Sequence, residues 1–241
     1  MTPNKMNQPQ NNPKVAQIDA PSKKTAIETV HELIRERVIS GALAPGARLH
    51  VDRLRQEFGV STSTMREAIS RLLIDNLVTS EQQRGFRVAP LSLKDFRDIT
   101  DARKLIEAQA LRISLLYRTE EWEADLVAAY HRLSRIEERL IGEGKSEYAH
   151  DWDEWNSNFH DCLVQNCDNA WLKRFRSTLH QHSYRYHRRL IGDRTLRRDV
   201  RTEHKAIFDA AIAGDIEACV AHIEAHIEES YSGLIEQHDL T

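Results

Sequence analysis

The strongest constraint on the fold is a glycine stop followed at once by a hydroxyl-capped amphipathic run, "FGVSTSTMREAISRLLIDNLV", residues 58–78. From Ser61 onward the apolar positions Met65, Ile69, Leu72 and Leu73 fall on one side of an α-helix, so the run needs a core to rest on. Gly59 suits the end of one helix and Ser61 the N-cap of the next, which predicts a tight corner between two helices. Thr62, Ser63, Thr64, Arg66, Glu67 and Ser70 share the remaining face. Short hydroxyls at a helix N-terminus, with one arginine behind them, suit phosphates and base edges. An ordinary capped surface helix has the same pattern, so the flanking segments decide.

Upstream, Ile27, Val30, Ile34 and Val38 form one stripe of a helix that Gly41 stops. "GALAPGARL" then turns at Pro45-Gly46 into a short extended piece at Arg48–His50. A second helix from about Asp52 to Phe58 is anchored by Leu54 and Phe58. Downstream, "LVTSEQQRGFRVAP" predicts two short strands, Leu77–Ser80 and Phe86–Ala89, around a polar turn ending at Arg84-Gly85. Helix, helix, turn, helix, hairpin is the order of a winged helix-turn-helix. There the third helix enters the major groove N-terminal end first, and the hairpin lies along the backbone. Ser61, Thr62, Ser63, Thr64 and Arg66 are then expected to meet DNA, with Arg84, Gly85 and Arg87 on the wing.

From Leu93 the pattern is helical to the end. Amphipathic segments lie near 93–117, 120–142, 147–167, 170–190, 194–213 and 215–237, with breaks at Gly142/Gly144, Asp168-Asn169, Gly192-Asp193 and Gly214-Asp215. Short connections favour an antiparallel bundle. The expected fold class is mainly α. A disordered tail over 1–22 precedes a winged helix-turn-helix over 23–90, a linker over 91–94 and an all-α bundle over 95–237.

The net charge of −3 hides a split. Residues 23–90 carry 11 Lys/Arg against 8 Asp/Glu, whereas the region after them is acidic. Nucleic-acid contact is therefore expected through the front only. No apolar run approaches the ~20 residues that span a bilayer, and the N-terminus lacks a secretory pattern. Cys162, Cys167 and Cys219 form no CxxC, so a cytoplasmic location is expected.

Ten of the twelve histidines follow residue 91. His160 stands one helical turn after Asn156, and the two share a face. His204 lies in the next-to-last helix, and either His222 or His226 of the last can point inward. Three imidazoles and one oxygen donor from separate helices would form a divalent-metal site with open positions. Each such histidine taken singly is more often a surface or hydrogen-bonded core residue than a ligand. His131, His150, His180, His182, His187 and His238 read as surface or pocket-lining.

The phrases "SGALAPGARL", "MREAISRL" and "RGFRV", in that order, resemble the DNA-binding domain of the GntR family of bacterial transcription regulators. "DARKLIEAQAL", "NSNFHDCLVQNCDNAWL" and "EHKAIFDAAIAGDIEACVAHIEAHI" resemble the FadR-type C-terminal ligand-binding domain, or FCD. The resemblance covers about residues 25–235, and six helices fit the shorter variant of that domain. It places the metal ligands on Asn156, His160, His204 and His226, where the first is more usually Asp. It places an effector-binding arginine at Arg103, suited to a carboxylate. In the second helix the usual basic position falls on Asp52, with Arg53 beside it as the DNA-facing residue. Thr62 and Thr64 stand where Arg and Pro are usual, so base preferences differ from those of relatives.

The implied protein is a homodimeric regulator, most simply a repressor, on a two-fold-symmetric operator. It would hold a divalent ion (zinc, with nickel or manganese as alternatives) and a small carboxylate effector. The competing class is an enzyme, a helical-bundle metallohydrolase fused to a nucleic-acid-binding domain. Against it, Glu203 and Asp161, the nearest carboxylates in sequence, are expected to point away from the site. A structural DNA-binding protein would leave the inward histidines without a role.

Overall fold

A computed structural model of the chain describes residues 24–81, 85–143, 149–191 and 199–237. The tail expected over 1–22, and Arg84 of the wing, lie outside the described residues.

The first helix, α1 (Ala26–Ile39), starts where the sequence offers a capping box. Thr25 Oγ1 accepts from the Glu28 amide at 3.2 Å, and the Glu28 carboxylate accepts from the Thr25 amide at 2.8 Å. Strand β1 (Arg48–Leu49), α2 (Val51–Phe58), α3 (Thr62–Ile74), β2 (Val78–Glu81) and β3 (Gly85–Val88) follow. Gly59 holds φ +65°, a left-handed position that favours glycine, and ends α2 so that α3 can start two residues later. Val30, Ile34 and Val38 of α1 meet Met65, Ala68, Ile69 and Leu72 of α3 in one core. Leu73, expected on that stripe, is only partly buried, and Ala68 takes its place.

The sheet has three strands rather than the two of the expected hairpin. Its order is β1-β3-β2, all antiparallel, because the extended piece after Pro45-Gly46 pairs Leu49 with Phe86. Strand β2 starts one residue later than expected, since the Leu77 amide closes α3 by bonding to the Leu72 carbonyl at 3.0 Å. Asn76, with φ 55°, supplies the left-handed turn between them.

The remainder is helical: α4 (Leu93–Leu116), α5 (Glu120–Glu143), α6 (Ala149–Leu163), α7 (Ala170–Ile191), α8 (Val200–Ala213) and α9 (Ile216–Gln237). Trp122, Leu126, Ala129, Leu133 and Ile136 recur at alternate spacings of four and three and bury one face of α5. They pack with Phe159 and Leu163 of α6, Ile207 of α8, and Ile223 and Ile227 of α9. Each of the buried Leu, Ile and Phe side chains contributes roughly 1.5–3 kcal/mol by leaving water. Helix α6 stops short of the expected 167, where its ladder tightens to i−3 bonds and the Trp122 indole takes the Cys162 carbonyl at 2.8 Å. Gly214, at φ 75°, closes α8 against Arg118, whose guanidinium occupies the space a Cβ would need.

Helices α4 and α7 run antiparallel. Phe96 stacks on Tyr186 at 4.4 Å near one end, and Glu107 meets Arg176 at 2.7 Å near the other. The outer side of α7 faces the winged domain. Gln181 accepts from Arg35 of α1. His182 Nε2 lies 2.8 Å from the Asp75 carbonyl, and Arg185 donates to the Ala89 carbonyl at 2.6 Å.

Candidate metal centre and nucleic-acid interface

His160 of α6, His204 of α8 and His226 of α9 converge because each stands on the face its helix turns to the bundle axis. One ring nitrogen from each lies within 4.8 Å of the others. His160 Nε2 and His204 Nε2 are 3.3 Å apart. Two imidazoles are held from behind: Glu137 Oε1 lies 2.7 Å from His204 Nδ1, and Glu203 Oε2 lies 2.7 Å from His226 Nδ1. Carboxylates at Nδ1 fix the tautomer that leaves the Nε2 lone pair aimed into the cluster. Burial, with His204 as the next cause, holds His160 well below the ordinary imidazole range, so its ring is neutral at physiological pH. Asn156 stands one turn before His160, and its Oδ1 is buried with no hydrogen-bond partner. Three converging imidazole nitrogens, an oxygen without a partner and two carboxylate braces all fit a divalent cation.

One of these features corrects the sequence reading. Glu203 points toward the cluster rather than away from it, through His226. Of the two candidates on α9, His226 is buried and His222 exposed. Glu137 was not singled out at all, although it lies one turn beyond Leu133 on the buried stripe of α5, where a carboxylate needs a reason. Asp161 does turn away, to pair with Arg176.

Arg103 of α4 donates from Nη1 to Ser183 Oγ of α7 at 2.9 Å, and its other terminal nitrogen lies 4.0 Å from Glu107. Arg176 donates to Glu107 from a buried position. Beside these guanidiniums, burial first, and then the charges of Arg103 and Arg176, together push His180 down to about 3. Both also bear on His160. His180 lines a cavity of about 340 Å³ as well, together with Ile39 of α1, Asp153, Glu154 and Ser157 of α6, and Gln181 and Tyr184 of α7. The cavity therefore has walls from both domains.

On the winged domain, Ser61 caps α3 by accepting from the Thr64 amide at 3.1 Å, and its hydroxyl lies 2.8 Å from Ser63 Oγ and 2.9 Å from Thr64 Oγ1. Thr62, Ser63 and Arg66 are exposed at the same end. Arg53 is exposed on α2, while Asp52 turns to Arg55 at 3.0 Å. Gly85 opens β3 with φ 88°. Arg87 is partly occupied by the protein, donating to Glu81 at 2.7 Å and to the Gly46 carbonyl at 3.1 Å. Its cross-strand neighbour Arg48 is exposed and was not singled out from the sequence, because only the third strand brings it there.

A recognition-type helix beside a small wing, joined to a helical domain with an inward histidine cluster, agrees with the comparisons. Residues 26–88 match the bacterial regulatory proteins of the gntR family, and residues 98–229 match the FCD domain. The chain belongs to the GntR family. It is 39% identical over 209 residues to the transcriptional regulator BphR of Paraburkholderia xenovorans, covering 87% of this chain and 85% of that one. It is 29% identical over 186 residues to the transcriptional repressor GlaR of Escherichia coli, covering 76% and 83%. Among solved structures, E. coli McbR/YncC superposes with a TM-score of 0.70 at 20% identity, covering 90% of this chain and 100% of that chain. A putative GntR regulator from Rhodococcus sp. RHA1 gives 0.69 at 20% identity, covering 87% and 97%. These two likenesses speak to fold. This GntR-family chain is a DNA-binding transcription regulator, and its relatives are regulators rather than enzymes, which sets the metallohydrolase alternative aside. No helix among the described residues is long and apolar enough to cross a membrane.

Proposed function

We propose that this chain is a FadR-type repressor that works as a homodimer on a two-fold-symmetric operator and answers to a small carboxylate bound beside a divalent ion. In this reading residues 23–90 bind DNA and residues 95–237 bind metal and effector and carry the dimer contact. The observation that carries it is the convergence of His160, His204 and His226 with two of the three rings braced by carboxylates. Asn156, His160, His204 and His226 would hold the ion, zinc by the nitrogen-rich donor set, with nickel or manganese as alternatives. When bound, the ion would offer Lewis-acid positions to a carboxylate oxygen. Arg103, with its paired terminal nitrogens, would take the other end of the ligand. Neutral His180 leaves the pocket's positive charge to the guanidiniums.

On DNA, Ser61, Thr62, Ser63, Thr64 and Arg66 would present donors at the N-terminus of α3, with Arg53, Gly85 and Arg87 at the flanks and Arg84, read from the sequence alone, as a further wing contact. The test combines metal analysis of tag-free protein with thermal-shift screening of small organic acids, with and without zinc. Metal-dependent stabilisation by an acid, lost in Arg103→Ala, is the expected result. An acid that stabilises metal-free protein and the Arg103→Ala variant equally would overturn it.

A further inference from the structure

Helix α7 touches the ligand side and the DNA side of this protein within a single turn. On its inner face Ser183 accepts from Arg103 at 2.9 Å. One residue earlier, His182 Nε2 lies 2.8 Å from the backbone carbonyl of Asp75, the C-cap of α3. Asp75 is also gripped from α1, where His31 Nε2 lies 3.2 Å from its carboxylate. A C-cap carbonyl has no partner within its own helix, so His182 supplies a bond the helix end lacks. The imidazole is partly buried, and the Asp75 carbonyl accepts its N–H, so a donor is required there.

We propose that His182 is a positioning residue for DNA binding, which sets the seat of α3 and, through Ser183, ties that seat to the state of Arg103. Arg103 holds Ser183 while its guanidinium is turned to α7. A carboxylate that draws the guanidinium toward the histidine cluster removes that bond. The turn of α7 that ends at Ser183 then loses one of its ties to α4 and can shift against it between the Phe96–Tyr186 and Glu107–Arg176 contacts. His182 carries any such shift to Asp75, because a helix turn moves as a unit. Gln181, which meets Arg35 of α1, moves with it. The inference rests on the reading of Arg103 as the ligand anchor only for the identity of the trigger; the mechanical link stands on the contacts themselves.

The test needs no effector. Ser183→Ala, His182→Ala, the double variant and His182→Gln are prepared as full chains. Each is measured for affinity to a duplex selected in vitro by the wild-type protein, and for hydrogen exchange of the Leu72–Leu77 amides. His182→Ala is expected to speed exchange at those amides and to weaken the selected duplex by at least about threefold. His182→Gln, whose amide N–H reaches a similar position, is expected to restore both. Ser183→Ala is expected to alter exchange at Leu72–Leu77 in the wild-type background and to have less than half that effect when His182 is already alanine. Equal effects of Ser183→Ala in both backgrounds would overturn the link, as would unchanged exchange in His182→Ala. If the link holds but no acid needs Arg103, the ligand reading fails by itself. If an acid needs Arg103 while Ser183→Ala leaves Leu72–Leu77 unmoved, the link fails by itself.

Discussion

Glu137 Oε1 sits 2.7 Å from His204 Nδ1, and both side chains are sealed from solvent, at 1% and 0% exposure. A buried carboxylate and a buried imidazole each cost several kcal/mol to dehydrate alone, so each depends on the other. The pair fixes which nitrogen of His204 faces His160. Glu137→Gln keeps the shape but offers His204 Nδ1 a weaker acceptor or, with the amide turned, a donor. The expected result is a 10–100-fold loss of zinc affinity, read by competition against a chromophoric chelator. Undiminished affinity would show that Glu137 has no part in holding the ion.

Asn156 brings oxygen to the cluster without charge. Asn156→Asp is expected to tighten divalent-metal binding by about tenfold, the scale of one added charge contact of ~1.4 kcal/mol. The metal-free variant should melt lower than wild type, because a carboxylate is then buried without its cation. Titration calorimetry and paired melts with and without zinc read the two effects separately. A rise in both melts would contradict the assignment.

His180 makes metal-free stability depend on pH. Its folded value, pushed down to about 3 by burial, lies far below the ordinary imidazole value. The unfolded chain therefore binds the proton first as pH falls below about 6.5. Stability is present above that value and is lost progressively toward the folded value. One such group removes about 2 kcal/mol between pH 6.5 and pH 5. Urea melts at the two pH values should show this loss, reduced in His180→Asn. A variant with the same pH slope as wild type would refute it.

Arg66 is exposed on the face of α3 turned away from buried Met65 and Ile69, with no ion pair among the described residues. Arg66→Ala should abolish operator binding with an unchanged melting temperature. Residual binding to any duplex should have a salt slope flatter by about one unit. Affinity that stays at the wild-type level at two salt concentrations would rule out recognition by this face.

The winged domain was legible because its signals are local: Gly59, the Ser61 cap and the Met65–Ile69–Leu72 stripe each act within one turn. The third strand was less so, since pairing Leu49 with Phe86 joins segments far apart in sequence and leaves only a two-residue trace. At the candidate metal centre the histidines could be named from their helix faces and from resemblance. Their braces could not. Glu203 reaches His226 across two helices, and its direction depends on how α8 is rotated against α9. Glu137 announced itself only as a charge on an apolar stripe, a signal that needs the rest of α5 to be read as buried.

The attachment of α3 at Asp75 also has a geometric consequence. The helix holds 13 residues, Thr62 to Ile74. At 1.5 Å per residue that is a rod of about 20 Å, packed into the core of the winged domain and tied to the helical domain at the end remote from Ser61 and Arg66. A tilt of the winged domain by about 10° about that tie sweeps the far end through roughly 3.5 Å, about one base-pair step along a duplex. Leverage of this kind lets a sub-ångström adjustment in the helical domain put every hydroxyl of the opposite end out of register with its phosphate, while no residue that faces DNA is altered.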